Sequence, residues 1–348
     1  MTPPPRVVAW VLLAGVVVLS ACGGDSGPPK RGAATVVLGG GKTNVHHPRE
    51  PFDGWKVFIH VAGPGEEEDF DYSGRGLAVA EDGAVFFDQF NAIFRTYPGE
   101  KTDRYGDGIG SVDLTIAPSG VLYGGGIVLG GDKIGGPALV ELGAGQQNGR
   151  WVALGTIPAR AGPGRLAAAP DGAVYRTFPR HNRVIRVDDG AVSELRALTA
   201  CPTGEYPVEP FGVAVSPDGD VLVGDSSCGL VYELADDGRP EIVVREPAPD
   251  RDCVPAWSAY GPERLHPWGL AFDPAGRLWL VDPYCNSIEV LGDDGEVEQV
   301  PLEEVPTERP VDLGFDGDGN LFVLDATLNE VLMVPAGCVA RLPTRACS

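Results

Sequence analysis

No stretch of this 348-residue chain is apolar for long enough to cross a bilayer as a helix: the best candidate, residues 7–19, is a run of 13, where a span needs about 20. Cations are scarce too. The 27 Lys and Arg face 49 Asp and Glu, for a formal charge of -22. Nucleic-acid affinity comes largely from counterions released by Lys and Arg, so this balance excludes a DNA or RNA partner. The sequence has no C-x-x-C, and no histidine stands close along the chain to any cysteine, which removes the usual metal-binding spacings. G-x-S-x-G and H-E-x-x-H are missing as well. Only five histidines are available for acid–base chemistry, at His46, His47, His60, His181 and His266.

What is present begins at the N-terminus. Arg6 precedes the 13-residue apolar run, which ends in Leu19-Ser20-Ala21-Cys22. A short positive region, a short apolar core and small residues before a cut describe an export signal. The final tetrapeptide resembles the lipobox of bacterial lipoproteins. The resemblance implies that residues 1–21 are removed, that Cys22 carries a diacylglycerol, and that the protein is held outside the cytoplasm on a bacterial membrane. Residues 22–50 then read as the lipidated cysteine and a Gly-rich tether. Without Cys22 an even set remains: Cys201, Cys228, Cys253, Cys285, Cys338 and Cys347. In an oxidising compartment these read as disulfides. Their places relative to the repeats below predict the pairs 201–228, 253–285 and 338–347.

Most of the chain repeats one sentence. "PFGVAVSPDGDVLVGD" from Pro210, "PWGLAFDPAGRLWLVD" from Pro267 and "PVDLGFDGDGNLFVLD" from Pro310 are its clearest copies. Aligned on a turn glycine, six copies stand at Gly83, Gly120, Gly172, Gly219, Gly276 and Gly319. Six and four residues before each glycine the side chain is apolar, as in Leu77/Val79 and Leu270/Phe272, and the residue between them is small, as in Ala78 and Ala271. Period two marks a strand. Each copy supplies four strands divided by Asp-Gly-type turns, and a lone sheet of that kind leaves two faces wet. Six of them closed in a ring bury both, so the predicted fold is all-β, a six-bladed propeller of four-stranded antiparallel blades over residues 51–337. Residues 55–62 (WKVFIHVA) alternate like a strand and are expected to complete the last blade. Residues 338–348 are expected to be a disulfide-closed tail. "DGDGN" at Asp316 to Asn320 has calcium-loop spacing but lies at the repeat's hairpin turn, and is read as that turn.

The pattern P-x-G-apolar-A-apolar, a turn, then a strand ending in Asp with Asn four residues on, resembles the NHL repeat. Asp282/Asn286 and Asp325/Asn329 match it fully, whereas the second copy has Gly-Gly-Gly in place of the aspartate. NHL-like propellers include binding modules, lyases and sensors, so the resemblance implies a fold more than an activity.

Candidate ligand-binding residues come from the column that breaks the repeat. Seven residues before the turn glycines stand Gly76, Asp113, Arg165, Gly212, Gly269 and Asp312. This position lies where the innermost strands enter the ring, so Asp113, Arg165 and Asp312 are expected at the channel mouth, either binding a ligand or, for Asp113 and Arg165 from neighbouring copies, closing the channel as an ion pair. Arg75, Phe211, His266 and Trp268 stand beside them as an aromatic rim for a small organic or peptide ligand. Two function classes follow. One is a lipid-anchored binding scaffold acting through its mouth-side loops, with no cofactor. The other is a calcium-dependent hydrolase similar to the gluconolactonase and senescence-marker family. There the resemblance implies a cation at the channel mouth polarising a lactone carbonyl. Asp225 matches that family's aspartate ligand, while Phe211 stands where an asparagine is expected.

Overall fold

The computed structural model describes strand Thr35–Leu38 and, with gaps in the connections, residues 76–343. Residues 1–34, Cys22 among them, and residues 55–62 lie outside the described residues. Strand β1 is Thr35–Leu38. Blade one holds β2 (Leu77–Val79), β3 (Val85–Gln89), β4 (Ala92–Thr96) and β5 (Asp103–Asp107). Blade two holds β6 (Asp113–Ile116), β7 (Leu122–Gly130), β8 (Lys133–Leu142) and β9 (Arg150–Ala153). Blade three holds β10 (Leu166–Ala168), β11 (Val174–Phe178), β12 (Arg183–Asp188) and β13 (Ala191–Leu195). Blade four holds β14 (Pro210–Val215), β15 (Val221–Asp225), β16 (Leu230–Leu234) and β17 (Pro240–Arg245). Blade five holds β18 (Gly269–Phe272), β19 (Leu278–Asp282), β20 (Ser287–Leu291) and β21 (Val297–Gln299). Blade six holds β22 (Pro310–Phe315), β23 (Leu321–Asp325) and β24 (Glu330–Val334), with β1 as its fourth strand. The only helical pieces among the described residues are one turn of α1 (Ala336–Val339) and a 3-10 turn at Pro179–His181.

Every sheet is antiparallel, five as meanders and the sixth completed by β1, and the innermost strands β2, β6, β10, β14, β18 and β22 touch in that order, with β22 closing on β2. The fold is a six-bladed β-propeller. All six turn glycines have φ between 80° and 99°, the left-handed region in which a Cβ is penalised, which explains why the anchor of each repeat is invariably glycine.

The small residue of each inner strand has an equally direct cause. Its face abuts the next blade: a Cβ on Gly314 would stand 3.0 Å from Val79 Cγ2. The apolar partners on the opposite face fill the wedge between blades. Six hydrophobic clusters result, one at each interface. Ala78, Phe86 and Ile93 meet Leu114 and Val140 between blades one and two, and Val213, Val223 and Tyr232 meet Tyr175 and Val184 between three and four. At roughly 1.5–3 kcal/mol for each large side chain buried, the interfaces rather than the isolated sheets hold the fold.

Ring closure departs from the sequence reading. The strand paired with β24 is Thr35–Leu38, in register Thr35 to Met333 and Leu38 to Val331. It falls within the span read as tether, upstream of the boundary set at residue 51. "TVVL" is only four residues long, and the longer alternation at 55–62 drew the assignment instead.

The tail packs against the propeller. Cys338, Val339 and Leu342 are buried with Trp279, Val300 and Val334 in the core between blades five and six, while Cys347 lies outside the described residues. Arg277 Nη1 and Nη2 donate to the carbonyls of Leu342 and Val339 at 2.9 and 3.0 Å, and its Nε donates to Asp273 at 2.7 Å. Packing and this clamp seat the tail. Arg277→Ala is expected to cost about 2 kcal/mol, the scale of hydrogen bonds to a charged donor that is partly exposed, with the tail cut by protease well before the propeller unfolds. Equal protease resistance in the variant and the parent would contradict the clamp.

Candidate functional site at the channel mouth

The three charged residues of the mouth column come together. Arg165 enters from β10 in blade three, and its Nη1 donates to Asp113 Oδ1 of blade two at 2.9 Å and to Asp312 Oδ2 of blade six at 3.1 Å. Blade six is directly across the ring, so one guanidinium spans the channel. Its Nη2 donates to the carbonyl of Val311. The carboxylates are engaged on their other sides: Asp113 accepts from the Leu166 N–H, and Asp312 accepts from those of Leu77 and Leu313 at 3.0 Å. Each aspartate thus binds the inner strand of the following blade. Two of the glycines in the column leave this layer room: a Cβ on Gly76 would stand 2.5 Å from the Asp113 Cα, and one on Gly269 would stand 3.0 Å from Asp312 Oδ1. All three ionic residues are at least nine-tenths buried. Burial pushes the Asp113 carboxyl up to about 7 against the pull of Arg165, and Asp312 moves in the same direction for the same reason. Two carboxyls facing one cation away from water retain a proton longer than surface aspartates do.

Above this layer lie the aromatic residues. Phe211 and Trp268 stack with centroids 4.5 Å apart at 18°, Tyr284 meets Trp268 edge-on at 5.5 Å, and Arg165 lies 5.9 Å from the Phe211 ring centre. His266 is fully buried beside Tyr284, its backbone N–H donating to Asp282 Oδ2 at 2.8 Å. These side chains form a packed lid, with Phe211 and Trp268 joined to Val311, Leu77 and Phe322 in one cluster. Arg75 lies outside the described residues. The cavity the inner strands enclose, with the triad among its lining, measures about 170 Å³, below the roughly 300 Å³ from which sites for small organic ligands begin.

The aspartates that end the second strands bind turns. Asp225 accepts from Glu209 N at 2.9 Å, Cys228 N at 2.8 Å, and both Ser227 N and Oγ. Asp282 does the same for His266, Tyr284 and Cys285, and Asp325 for Glu308 and Arg309. Asp225 and Asp282 each tie a turn of their own blade to the connection entering that blade, Asp325 holds the entering connection, and burial still raises Asp225 to about 6. Asn286 and Thr307 exchange a pair of hydrogen bonds at 2.9 and 3.0 Å, bracing the loop toward blade six. "DGDGN" is a hairpin turn, with Asp316 Oδ1 accepting from Asp318 N and Asn320 N.

A calcium ion does not fit here. Asp225 has both oxygens committed to N–H and O–H donors, and the neighbouring position offers a phenyl ring already stacked on Trp268. Among the described residues two buried trios bring possible ligand atoms within 4.8 Å, Cys201/Asp225/Cys228 and His266/Asp282/Cys285. Cys201 and Cys228 form the expected disulfide, and Cys285 is disulfide-bonded as well, so those sulfurs are not thiolate donors. Cys253, the partner expected for Cys285, lies outside the described residues.

Arg176 carries function-scale burial that the repeat did not signal directly. Only 2% exposed, it donates from Nη1 to the Ala138 carbonyl at 2.8 Å and lies 4.9 Å from the Phe178 ring centre, and burial lowers it to about 10. A Cβ at Gly125 would stand 3.1 Å from its Cζ. Gly125, the middle residue of the "GGG" that broke the second repeat, leaves the space this guanidinium occupies.

No protein-family model matches the sequence, and no curated protein does. Solved structures do match. Virginiamycin B lyase from Staphylococcus aureus aligns over 77% of this chain and 96% of its own, at 16% identity and a TM-score of 0.52. A gluconolactonase from Xanthomonas campestris aligns over 75% and 85%, at 16% identity and 0.53, and the PQQ-bound aldose sugar dehydrogenase of Streptomyces coelicolor over 75% and 93%, at 12% and 0.50. The likeness is one of fold. At such identities a shared propeller carries no activity from one chain to another.

Proposed function

We propose that this chain is a lipid-anchored, extracytoplasmic NHL-like propeller that binds a protein or small-molecule partner through its mouth-side loops and performs no chemistry in its channel. One observation carries the reading: the ring-spanning Arg165 and the aromatic lid fill the place where a propeller would expose a pocket. Recognition is then left to the outer surface of the connections, which the Cys201–Cys228 bridge braces. The membrane half of the reading rests on Cys22 and the residues before it.

Both halves are open to test in cells. Cys22→Ala is expected to abolish incorporation of a labelled fatty acid and to move the protein out of the membrane fraction. Photo-crosslinker at Arg180, on the mouth side, is expected to capture a partner that the same group at Asp218, on the opposite side, does not. Calcium-dependent turnover of any member of a lactone panel would replace this reading with a hydrolase resembling the gluconolactonase-type propellers.

A further inference from the structure

The way the ring closes fixes which side of the propeller an anchor at Cys22 would hold against the membrane. Register across blade six runs Asp312, Leu324, Val331, Leu38 at the level of the channel mouth, and Gly314, Phe322, Met333, Thr35 toward the other end. The chain therefore reaches Thr35 from the base, the side that carries the turn glycines and α1. Twelve residues separate Cys22 from Thr35. A Gly-rich segment of that length averages about 20 Å end to end and reaches at most about 45 Å. To bring the mouth onto the bilayer it would have to run back along the outside of the blade, about 17 Å for a five-residue strand, and then around the rim.

Charge on the base decides how closely it approaches. Each repeat places an acidic or polar turn there, because an aspartate in that position caps backbone N–H groups, as Asp82 does for Ala84 and Asp171 for Ala173. Asp171 is paired with Arg186 at 2.9 Å, and what remains is a face with exposed Glu81, Asp82, Asp189, Asp218 and Asp318. A surface of that sign is repelled by anionic headgroups.

We propose that, on the lipid-anchored reading above, the propeller stands with its acidic base toward the bilayer at a distance set by its tether, and with Asp113, Arg165, Asp312 and the mouth-side loops facing away. The mouth is then free for a partner in the surrounding space, and the base is not a docking surface for anionic lipid.

The test uses the full lipidated chain in vesicles with an acceptor dye in the bilayer. A donor is placed through an unnatural residue at Asp218, on the base, or at Arg180, on the mouth-side turn between β11 and β12. Energy transfer is expected to be several-fold greater from position 218. Raising salt from 0.1 M to 1 M shortens the screening length from about 10 Å to about 3 Å, and should increase transfer from 218 in anionic vesicles but not in zwitterionic ones. Equal transfer from the two positions, or more from 180, overturns the orientation while leaving the anchor intact. A chain that does not float with the vesicles overturns the anchor and the orientation with it.

Discussion

Arg165→Met is expected to lower stability by about 3–5 kcal/mol at pH 8, the scale for removing one partner from a buried ionic cluster. The side chain it loses is nearly isosteric in its stem, so little of that cost is cavity. Most of it arises because Asp113 and Asp312 are left facing each other across the channel without a cation, in a layer that water scarcely enters. Urea midpoints read the loss. One further measurement separates this cause from simple loss of packing. The triple variant Arg165→Met, Asp113→Asn, Asp312→Asn is expected to recover most of the stability, since an amide oxygen still accepts from Leu166 and Leu77 while no charge remains. A triple variant as unstable as the single one would show that the ion cluster is not what the ring needs.

The same residues set a pH dependence. An unfolded aspartate titrates near 3.9, whereas Asp113 in the folded protein is raised to about 7 and Asp312 is raised in the same direction, each chiefly by burial. Between these values the folded chain binds more protons than the unfolded one, so this contribution to stability is fully present below about pH 4 and is lost as pH rises through about 7. The loss in Arg165→Met should accordingly be smaller at pH 5 than at pH 8, because the stranded carboxyls can take up protons. Asp113→Asn should flatten the pH slope of the parent over that window. An unchanged slope in Asp113→Asn would place the titrating group elsewhere.

How much of this was legible beforehand divides along physical lines. Period two, the small residue between two apolar ones, and the turn glycine are all consequences of backbone geometry repeated six times. They specified strands, blades and ring without reference to tertiary contacts. The column of Asp113, Arg165 and Asp312 was legible for the same reason: alignment of the repeats places these residues in one layer. The ion pair of Asp113 with Arg165 between neighbouring blades was legible too; the reach of Arg165 to Asp312 was not, because register within one blade says nothing about a distance across the ring. The aromatic residues were found but their state was not; alternation cannot tell a ring that lines an open rim from one that stacks on the next blade's ring. Closure by Thr35–Leu38 was hidden because four residues of β-branched and aliphatic character carry little signal beside eight alternating ones. Arg176 was written in the sequence as an absence, the missing side chain at Gly125 that makes way for it.

Removing the Cys201–Cys228 bridge as a Cys→Ala pair is expected to cost about 3–4 kcal/mol, from the chain entropy released when a loop with a sequence separation of 27 is no longer closed. Alanine rather than serine is the appropriate replacement, since both sulfurs lie in an apolar cluster with Val208, Val213 and Leu230, where a new hydroxyl would add its own burial cost. The bridge does more than join two points on the chain. Cys228 donates its N–H to Asp225, which also holds Glu209, so the disulfide and the aspartate secure the two ends of the same connection into blade four. If the mouth-side loops are the recognition surface, the double variant should lose partner capture from position 180 at temperatures where the six sheets remain folded by circular dichroism. Protease should then cut first between residues 196 and 209. A variant within 1 kcal/mol of the parent that keeps its loop uncut would mean that Asp225 alone orders the connection, and that the bridge contributes to neither stability nor binding.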